Sequence, residues 1–302
     1  MLQLAPRVKL DEMNINTGKK VRLHRLLYEH GPANGTMLLL PIDQGVEHGP
    51  IDFFDNPESV DPEYQYRIAL EGGFSGIALH VGLAEKHQKK YAGKVPLVLK
   101  INGRTNIPSD AHAFSPQTAS VEDAVRLGAD AVGYTLYVGS PAQDADMIQL
   151  SAIREECERF GMPLIVWSYP RGESIEAKGG KDSLYAVDYA ARLAAEMGAD
   201  VVKLNVPKVD SPKAGESPAP YGDLNISLSD ALAKIVKSAG RTFVIFAGGS
   251  KVSDEDLLNK ARMTMNAGAT GLIFGRNVWQ RPHDQALLIA HKIRDILNEF
   301  AG

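Results

Sequence analysis

The sequence predicts a single α/β domain with the (β/α)8 architecture of a TIM barrel. Eight short runs of β-branched and aliphatic residues alternate with longer amphipathic segments, a pattern typical of parallel βαβ units. Polar or glycine residues follow most of these runs. Barrel enzymes place functional groups at the carboxyl ends of many strands, whereas an open sheet uses one switch point. The length of 302 residues also suits one barrel.

The predicted strands and helices alternate along the chain. The strands are predicted at residues 36–43, 74–80, 97–102, 131–137, 164–169, 201–206, 243–247 and 271–274. The helices are predicted at residues 63–71, 120–127, 147–160, 183–197, 227–239, 254–267 and 283–300. Glycines such as Gly128 and Gly198 suit the left-handed cap that ends a helix before the next strand. We expect one domain over residues 1–302, with residues 36–302 as the barrel and residues 1–35 as an N-terminal extension or helical cap.

Composition and charge exclude several classes of function. The chain has 33 basic and 37 acidic residues and a formal net charge of −4, so no overall positive field favours nucleic acid or an anionic membrane. Its single cysteine, Cys157, excludes an intrachain disulfide and a cysteine zinc cluster. Residues 1–16 lack the apolar run of a signal peptide, and no later stretch is long enough to span a bilayer. We therefore expect a cytoplasmic protein with no nucleic-acid or membrane partner.

Two lysines lie inside hydrophobic strands, where a charge is costly. Lys203 follows Val201 and Val202, and Lys100 has nearly the same surroundings on an earlier strand. Burial lowers the pKa of a lysine and prepares the free amine to attack a carbonyl, which is the chemistry of an imine-forming aldolase. A lysine at a strand end also snorkels to solvent or pairs with a carboxylate. The residues alone leave both roles open, and also the choice between Lys100 and Lys203.

The fifth strand ends in a second group of candidate residues. Side chains alternate along a strand, so Trp167, Tyr169 and Arg171 project to one side. A tyrosine hydroxyl can relay a proton when a substrate hydroxyl is deprotonated. The alternative is structural: the two aromatic rings fill the barrel, and Arg171 pairs with Glu173 or Glu176.

A carboxylate closes the first strand. There, Asp43 can stabilise a protonated lysine or imine and help to expel water from a carbinolamine. Glu47 and His48 follow and are of types that bind metals, but no third histidine or carboxylate accompanies them at ligand spacing. We therefore expect no metal site, and we expect these two residues to cap the following loop.

Glycine-rich turns follow the last two strands. Barrels commonly bind phosphate after strands seven and eight, through backbone amides that glycine exposes. Gly248 and Gly249 follow the seventh strand, while Gly275 and Arg276 follow the eighth. Arg276 adds a planar cation. Each turn alone is a weak signal, but two in consecutive places predict a phosphate site.

Taken together, these residues resemble the archaeal-type class I fructose-bisphosphate aldolases, which are related to deoxyribose-phosphate aldolase. The resemblance covers most of the chain, from the first strand to the eighth, and its motifs are specific as a set. The matching segments are PIDQGVEH (41–48), LKIN (99–102), TLYVGS (135–140), WSYPRG (167–172), VKLN (202–205), AGG (247–249) and GR (275–276).

The resemblance implies a role for each site residue. Lys203 matches the Schiff-base lysine, Tyr169 the proton-transferring tyrosine, and Asp43 the acid that supports imine formation. Trp167 looks like the aromatic wall beside the substrate, and Arg171 looks placed for the distal phosphate. The pocket for the phosphate nearest the ketone is matched by Gly248, Gly249, Gly275 and Arg276.

The implied function is reversible cleavage of a phosphorylated ketose, fructose 1,6-bisphosphate, to dihydroxyacetone phosphate and glyceraldehyde 3-phosphate in glycolysis and gluconeogenesis, without a cofactor. The family also forms homo-oligomers, often decamers of stacked pentameric rings. One alternative is a related Schiff-base or transaldolase-type enzyme for another phosphorylated sugar, such as an aromatic-precursor pathway enzyme. Another is a non-catalytic sugar-phosphate binding barrel, although binding alone needs no buried amine. We expect the loops at 171–181 and 207–222 to determine the choice of substrate.

Overall fold

The strands close into one barrel. The computed structural model describes residues 6–301, in which eight parallel strands pair in chain order and the eighth returns to the first. The strands are β1 (Met37–Pro41), β2 (Gly76–His80), β3 (Leu97–Lys100), β4 (Ala131–Val138), β5 (Leu164–Pro170), β6 (Val201–Leu204), β7 (Phe243–Ala247) and β8 (Gly271–Ile273). The predicted (β/α)8 architecture is confirmed. Some strands are shorter than predicted because the chain bends into the rim loops, so Asp43 and Asn205 lie just beyond β1 and β6.

Helices surround the barrel. They are α1 (Thr17–His24), α2 (Gln44–Glu47), α3 (Pro62–Glu71), α4 (Val81–Tyr91), α5 (Val121–Arg126), α6 (Gln143–Phe160), α7 (Glu173–Glu176), α8 (Leu184–Glu196), α9 (Leu228–Ser238), α10 (Asp254–Asn266), α11 (Arg276–Trp279) and α12 (His283–Asn298). The sequence pattern does not predict α4, because the polar run at residues 85–90 hides its apolar periodicity. Within residues 6–301, the helices are all too short or too polar to cross a membrane.

Apolar side chains fill the interior of the barrel. Alternate residues of each strand point inwards. These inward residues form one buried cluster, which contains Met37, Leu39, Ala78, Val98, Ala131, Ile165, Trp167, Val201, Phe243, Ile245 and Ile273. The outward residues pack against the surrounding helices in a second, larger cluster. Within residues 6–301 the barrel interior is therefore a packed core rather than an open channel.

The N-terminal segment closes the amino end of the barrel. Leu23 and Leu26 are fully buried and belong to the same cluster as the barrel interior. Burying a leucine contributes about 1.5–3 kcal/mol, so these contacts hold the segment in place and leave the carboxyl end open. The division into an extension at 1–35 and a barrel at 36–302 stays a prediction, and residues 1–5 and 302 lie outside the described residues.

Candidate active site

A cavity of about 410 Å³ opens at the carboxyl end of the barrel. This volume lies in the range of about 300–1,000 Å³ that small-molecule sites occupy. Every predicted site residue lines the cavity except Trp167, which is fully buried below it. The lining residues of that set are Asp43, Tyr169, Arg171, Lys203, Gly248, Gly249, Gly275 and Arg276. The barrel thus brings together side chains from the ends of β1, β5, β6, β7 and β8.

Lys203 presents its amine to this cavity from the end of β6. The amine lies 5.2 Å from the centre of the Trp167 ring and 5.2 Å from the centre of the Tyr169 ring. Burial lowers the pKa of Lys203 below its usual value, although Asp43 and Glu47 act in the opposite direction. A free amine is therefore more abundant at neutral pH than in an exposed lysine, which suits attack on a carbonyl.

Lys100 on β3 is buried as deeply but is held in another way. Its amine donates to the Asn102 carbonyl oxygen at 3.0 Å and to Thr135 Oγ1 at 2.7 Å. Two carboxylates lie just beyond, with Glu47 Oε1 at 3.6 Å and Asp43 Oδ2 at 3.9 Å. This amine is occupied by polar partners and, among the described residues, is not part of the cavity lining. The geometry separates two lysines that have nearly the same sequence context.

Trp167 forms a floor below the two amines. Its indole is fully buried, and the Lys100 amine lies 5.5 Å from the ring centre. The ring fits because the neighbouring strand has Gly133: a methyl group there would lie only 2.6 Å from the indole. The aromatic face favours a nearby cation. Trp167 thus lies beneath Lys203, rather than in the lining of the cavity.

Tyr169 and Arg171 form one wall. Burial raises the pKa of Tyr169 well above its usual value, and the nearby carboxylates of Glu47 and Asp43 raise it further. The phenol is therefore protonated at neutral pH and can donate a hydrogen bond. The Arg171 guanidinium lies 5.4 Å from the Tyr169 ring centre and pairs with Asp110 at 3.3 Å. The alternative pairing with the glutamates of α7 does not occur among the described ion pairs.

Asp43 is only 3% exposed and lies immediately before α2. Its Oδ2 atom has no hydrogen-bond partner among residues 6–301. A buried carboxylate oxygen without a partner is costly, which is typical of a group that meets a ligand. The position of Asp43 beside the cavity suits it to interact with a charged imine at Lys203.

The side chains of Glu47 and His48 make different contacts. His48 pairs with Asp52, whose Oδ2 lies 2.7 Å from Nδ1, so this histidine holds the following turn. Both residues line the cavity, but Glu47 Oε1 also lies 3.6 Å from the Lys100 amine, so the expected capping role does not describe Glu47. A signal for this was available, because a helical turn places residues four apart on the same face, and Glu47 is four residues after Asp43.

Glycine opens the wall after β7 and β8. Gly249 has a φ of +72°, in the left-handed region that favours glycine. A methyl group on Gly275 would lie 2.9 Å from the Pro41 carbonyl oxygen, so a larger residue would not fit there. Glycine thus lets both turns lie in the cavity wall, where the sequence pattern predicts a phosphate site.

Asn277 joins these two turns. Its Oδ1 accepts from the Val252 amide at 3.1 Å, and its Nδ2 donates to the Ser250 carbonyl oxygen at 3.3 Å. The neighbouring Arg276 guanidinium lies 3.8 Å from Asp52. The two turns are therefore joined to each other, and Arg276 lies beside them in the cavity lining.

Further cations, which no sequence motif indicates, line the cavity. Lys181 and Lys208 belong to the two irregular loops, after β5 and β6. Asp182 joins the loops: its carbonyl oxygen accepts from the Lys208 amide at 2.8 Å, and its carboxylate pairs with the Lys208 amine at 2.9 Å. Lys181 and Lys208 thus join Arg171 as cations in the cavity lining.

Known aldolases resemble the chain in sequence and in fold. A family model described as DeoC/LacD family aldolase matches residues 37–281. The class 1 fructose-bisphosphate aldolase of Thermoproteus tenax is 41% identical over 248 residues, which are 82% of this chain and 84% of that protein. The fructose-bisphosphate aldolase/6-deoxy-5-ketofructose 1-phosphate synthase of Methanocaldococcus jannaschii is 32% identical over 275 residues, which are 88% of this chain and 82% of that protein.

A solved structure adds a covalent complex to the comparison. It is an archaeal fructose-1,6-bisphosphate aldolase whose catalytic lysine is covalently bound to the carbinolamine intermediate of its substrate. That chain is 37% identical to this one and superposes with a TM-score of 0.77, covering 91% of this chain and 99% of its own length. Sequence and fold therefore agree over nearly the whole barrel.

Proposed function

Because this chain belongs to the DeoC/LacD family of aldolases, we propose that it is a class I fructose-bisphosphate aldolase, with Lys203 as its Schiff-base lysine. The enzyme is a carbon–carbon lyase that reversibly cleaves fructose 1,6-bisphosphate to dihydroxyacetone phosphate and glyceraldehyde 3-phosphate. One observation carries the proposal: the buried Lys203 amine, with its lowered pKa, faces a cavity that is also lined by the cationic Arg171 and Arg276.

The reaction begins at the ketone. The Lys203 amine attacks C2 to form a carbinolamine, and loss of water gives a protonated imine. Asp43 or Tyr169 assists the departure of water, and the Asp43 carboxylate stabilises the positive imine. The protonated imine is the electron sink, so the mechanism needs neither a metal nor a cofactor.

Cleavage then breaks the bond between C3 and C4. Tyr169 takes the proton of the C4 hydroxyl, the C4 carbonyl forms, and the electron pair of the broken bond moves to the imine and gives an enamine. Glyceraldehyde 3-phosphate leaves first. Protonation of the enamine at C3 and hydrolysis release dihydroxyacetone phosphate, and the reverse steps serve gluconeogenesis.

The two phosphates occupy opposite sides of the cavity. We assign the phosphate next to the ketone to Gly248, Gly249, Gly275 and Arg276, where two glycine turns and a guanidinium line the cavity. The distal phosphate lies towards Arg171, at the rim that also carries Lys181 and Lys208. Trp167 supports the reacting amine from below rather than acting as a side wall.

Three further expectations belong to this proposal. The protein acts in the cytoplasm, which fits its single buried cysteine. It assembles as a homo-oligomer, a decamer of stacked pentameric rings, as the resemblance implies. Its residues 1–302 form one domain, in which residues 1–35 cap the barrel at 36–302.

A panel of phosphorylated ketoses tests the proposed substrate. Release of triose phosphate is measured from fructose 1,6-bisphosphate, fructose 1-phosphate and 6-deoxy-5-ketofructose 1-phosphate. The highest kcat/KM is expected for fructose 1,6-bisphosphate. A preference for the deoxyketose would favour the second candidate, the synthase activity in the name of the Methanocaldococcus relative. Binding of these sugars without cleavage would identify a non-catalytic barrel.

A further inference from the structure

A buried polar network lies beside Lys203, and the reaction steps above do not use it. Lys100, Thr135 and Glu47 form its centre. Thr135 and Lys100 are fully buried, and Thr135 Oγ1 lies 2.7 Å from the lysine amine and 3.5 Å from Glu47 Oε1. A buried lysine is costly unless it is paired. One oxygen of the Glu47 carboxylate lies beside this pair, 3.5 Å from Thr135 Oγ1 and 3.6 Å from the Lys100 amine.

The other oxygen of Glu47 is free to act. Glu47 Oε2 forms no hydrogen bond with any residue of the described part of the chain, while Glu47 itself lines the cavity. The backbone of this residue is also fixed, because its carbonyl oxygen accepts from the Asn106 amide at 3.0 Å. A carboxylate in a cavity wall, with a fixed backbone and one oxygen without a hydrogen bond, can serve as a proton acceptor.

The cleavage step needs such an acceptor. A protonated phenol can take a proton from a substrate only if it gives its own proton away. The Tyr169 phenol is protonated at neutral pH, since burial and the carboxylates of Glu47 and Asp43 raise its pKa well above the usual value. A second group must therefore receive the proton that Tyr169 releases.

We propose that Glu47, positioned by Lys100 and Thr135, is the terminal proton acceptor of the cleavage step. As the C3–C4 bond breaks, its electron pair moves to the imine nitrogen, the C4 hydroxyl proton passes to the Tyr169 oxygen, and the Tyr169 proton passes to Glu47. In synthesis the same protons return in the opposite order. The inference rests on the proposed function, since it assigns one step of that reaction.

Charged and titratable groups surround Glu47 on several elements. They are Lys100 on β3, Tyr137 on β4, Tyr169 on β5, Lys203 on β6, and Asp43 and His48 beside it in the turn after β1. Lys100 is the cation in contact with Glu47, and it offsets the charge of the two neighbouring carboxylates. Glu47 also acts to raise the pKa of Lys203. Removing its charge should therefore leave Lys203 at least as reactive as before.

The test separates proton transfer from imine formation. Glu47→Gln keeps the shape of the side chain but accepts no proton, and Glu58→Gln, at an exposed position, is the matched control. Each variant is assayed for cleavage of fructose 1,6-bisphosphate and for borohydride reduction of dihydroxyacetone phosphate onto Lys203. Glu47→Gln should lose between about 10²- and 10⁴-fold in kcat for cleavage, the scale of a general acid–base group. It should still form the reduced adduct at the wild-type rate or faster.

Chemical rescue provides a second measurement. Glu47→Ala leaves room for a small carboxylate, so added formate should restore cleavage by at least about tenfold, whereas formate should not affect the control. Cleavage by Glu47→Gln within about threefold of wild type would overturn the inference. Parallel loss of cleavage and adduct formation, without rescue, would also overturn it and leave Glu47 a purely structural role. Failure of the wild-type protein to cleave fructose 1,6-bisphosphate would instead reject the proposed function.

Discussion

Strand β6 has a buried charged residue near each end. A buried lysine is paired with carboxylates at the amino end of the barrel, but a buried lysine at the carboxyl end is not. Before the strand, a carboxylate oxygen of Asp200 lies 2.9 Å from the amine of Lys19, which also pairs with Glu158. Near the other end of the strand, Lys203 lines the cavity. It takes part in none of the ion pairs found within residues 6–301. Lys19 is 1% exposed and Lys203 is 6% exposed. Burial alone therefore does not distinguish them.

The pKa values of the two lysines shift in opposite directions. Burial acts to lower the pKa of Lys19, but the carboxylates of Asp200 and Glu158 outweigh it and raise the pKa above the usual value. Burial also lowers the pKa of Lys203, and there the more distant carboxylates of the cavity do not reverse it. Direct contact with a carboxylate thus makes a structural lysine, whereas its absence leaves an amine available for chemistry. The amino end of the barrel stabilises the fold, and the carboxyl end carries the site.

The largest effect is expected from Lys203→Arg. Arginine keeps the charge but is not a usable nucleophile. Turnover of fructose 1,6-bisphosphate should therefore fall by roughly 10³-fold or more, as when other covalent nucleophiles are removed. Steady-state kinetics measure the loss, and thermal denaturation should show an intact fold. If the variant retained about a tenth of the wild-type kcat, Lys203 would not be the nucleophile, and the contrast with the structural Lys19 would fail.

The next effect is on stability, from Lys19→Met. This change leaves Asp200 buried without its cation, so the free energy of unfolding should fall by about 3–5 kcal/mol, while kcat of the folded enzyme is unchanged. Urea denaturation measures the difference. Lys20→Met is the matched control, since the exposed pair of Lys20 with Asp11 should contribute no more than about 1 kcal/mol. Equal effects of the two changes would show that the buried pair does not stabilise the barrel.

A smaller effect is expected from Arg276→Ala. Loss of a charge-assisted contact to phosphate should cost roughly 1.5–3 kcal/mol in kcat/KM for fructose 1,6-bisphosphate. Arg276 also helps to lower the pKa of Lys203, and that effect should be the same for every ketose. The informative quantity is thus the ratio of the losses for phosphorylated and unphosphorylated substrates. The surface change Arg262→Ala should alter neither, and equal losses for both substrates in Arg276→Ala would reject a phosphate role.

Chelation should have no effect on turnover. The protonated imine accepts electrons without help from a metal, and no group of three or more His, Cys, Asp or Glu side chains in the described chain is arranged to hold a metal ion. Activity is therefore expected to survive incubation with EDTA. Loss of turnover that is restored by a divalent cation would place the chemistry with metal-dependent aldolases and away from Lys203.

The barrel can be predicted from the sequence because its eight strands are short and apolar and most are followed by polar residues. Helix α4 escaped detection because charged residues at 85–90 obscure its buried face, of which Ala84 and Tyr91 are part. Some strands, such as β1 and β6, are predicted to end later than they do in the structure. Residues such as Asp43 are still buried, but they bend away from the sheet to reach the cavity.

Only part of the site can be predicted from the sequence. The apolar surroundings of Lys203 and Lys100 are alike along the chain, and what separates them is the position of Asn102 and Thr135, on the end of β3 and on the next strand. Such partners are set by the register of neighbouring strands, which local sequence does not contain. The sequence does not indicate Lys208 for a related reason. This lysine reaches the cavity only because the two loops meet at Asp182.

The most direct test of the central claim is the site of covalent attachment. The protein is reduced with borohydride in the presence of dihydroxyacetone phosphate and digested, and the modified peptide is identified by mass spectrometry. An imine is reducible, whereas a simply bound ketose is not, so we expect a stable adduct on Lys203 and loss of activity. Tyr169→Phe should still form this adduct, since the role proposed for the phenol is proton transfer and not attachment. An adduct on Lys100 would overturn the choice of nucleophile, and no adduct on any lysine would contradict the Schiff-base mechanism.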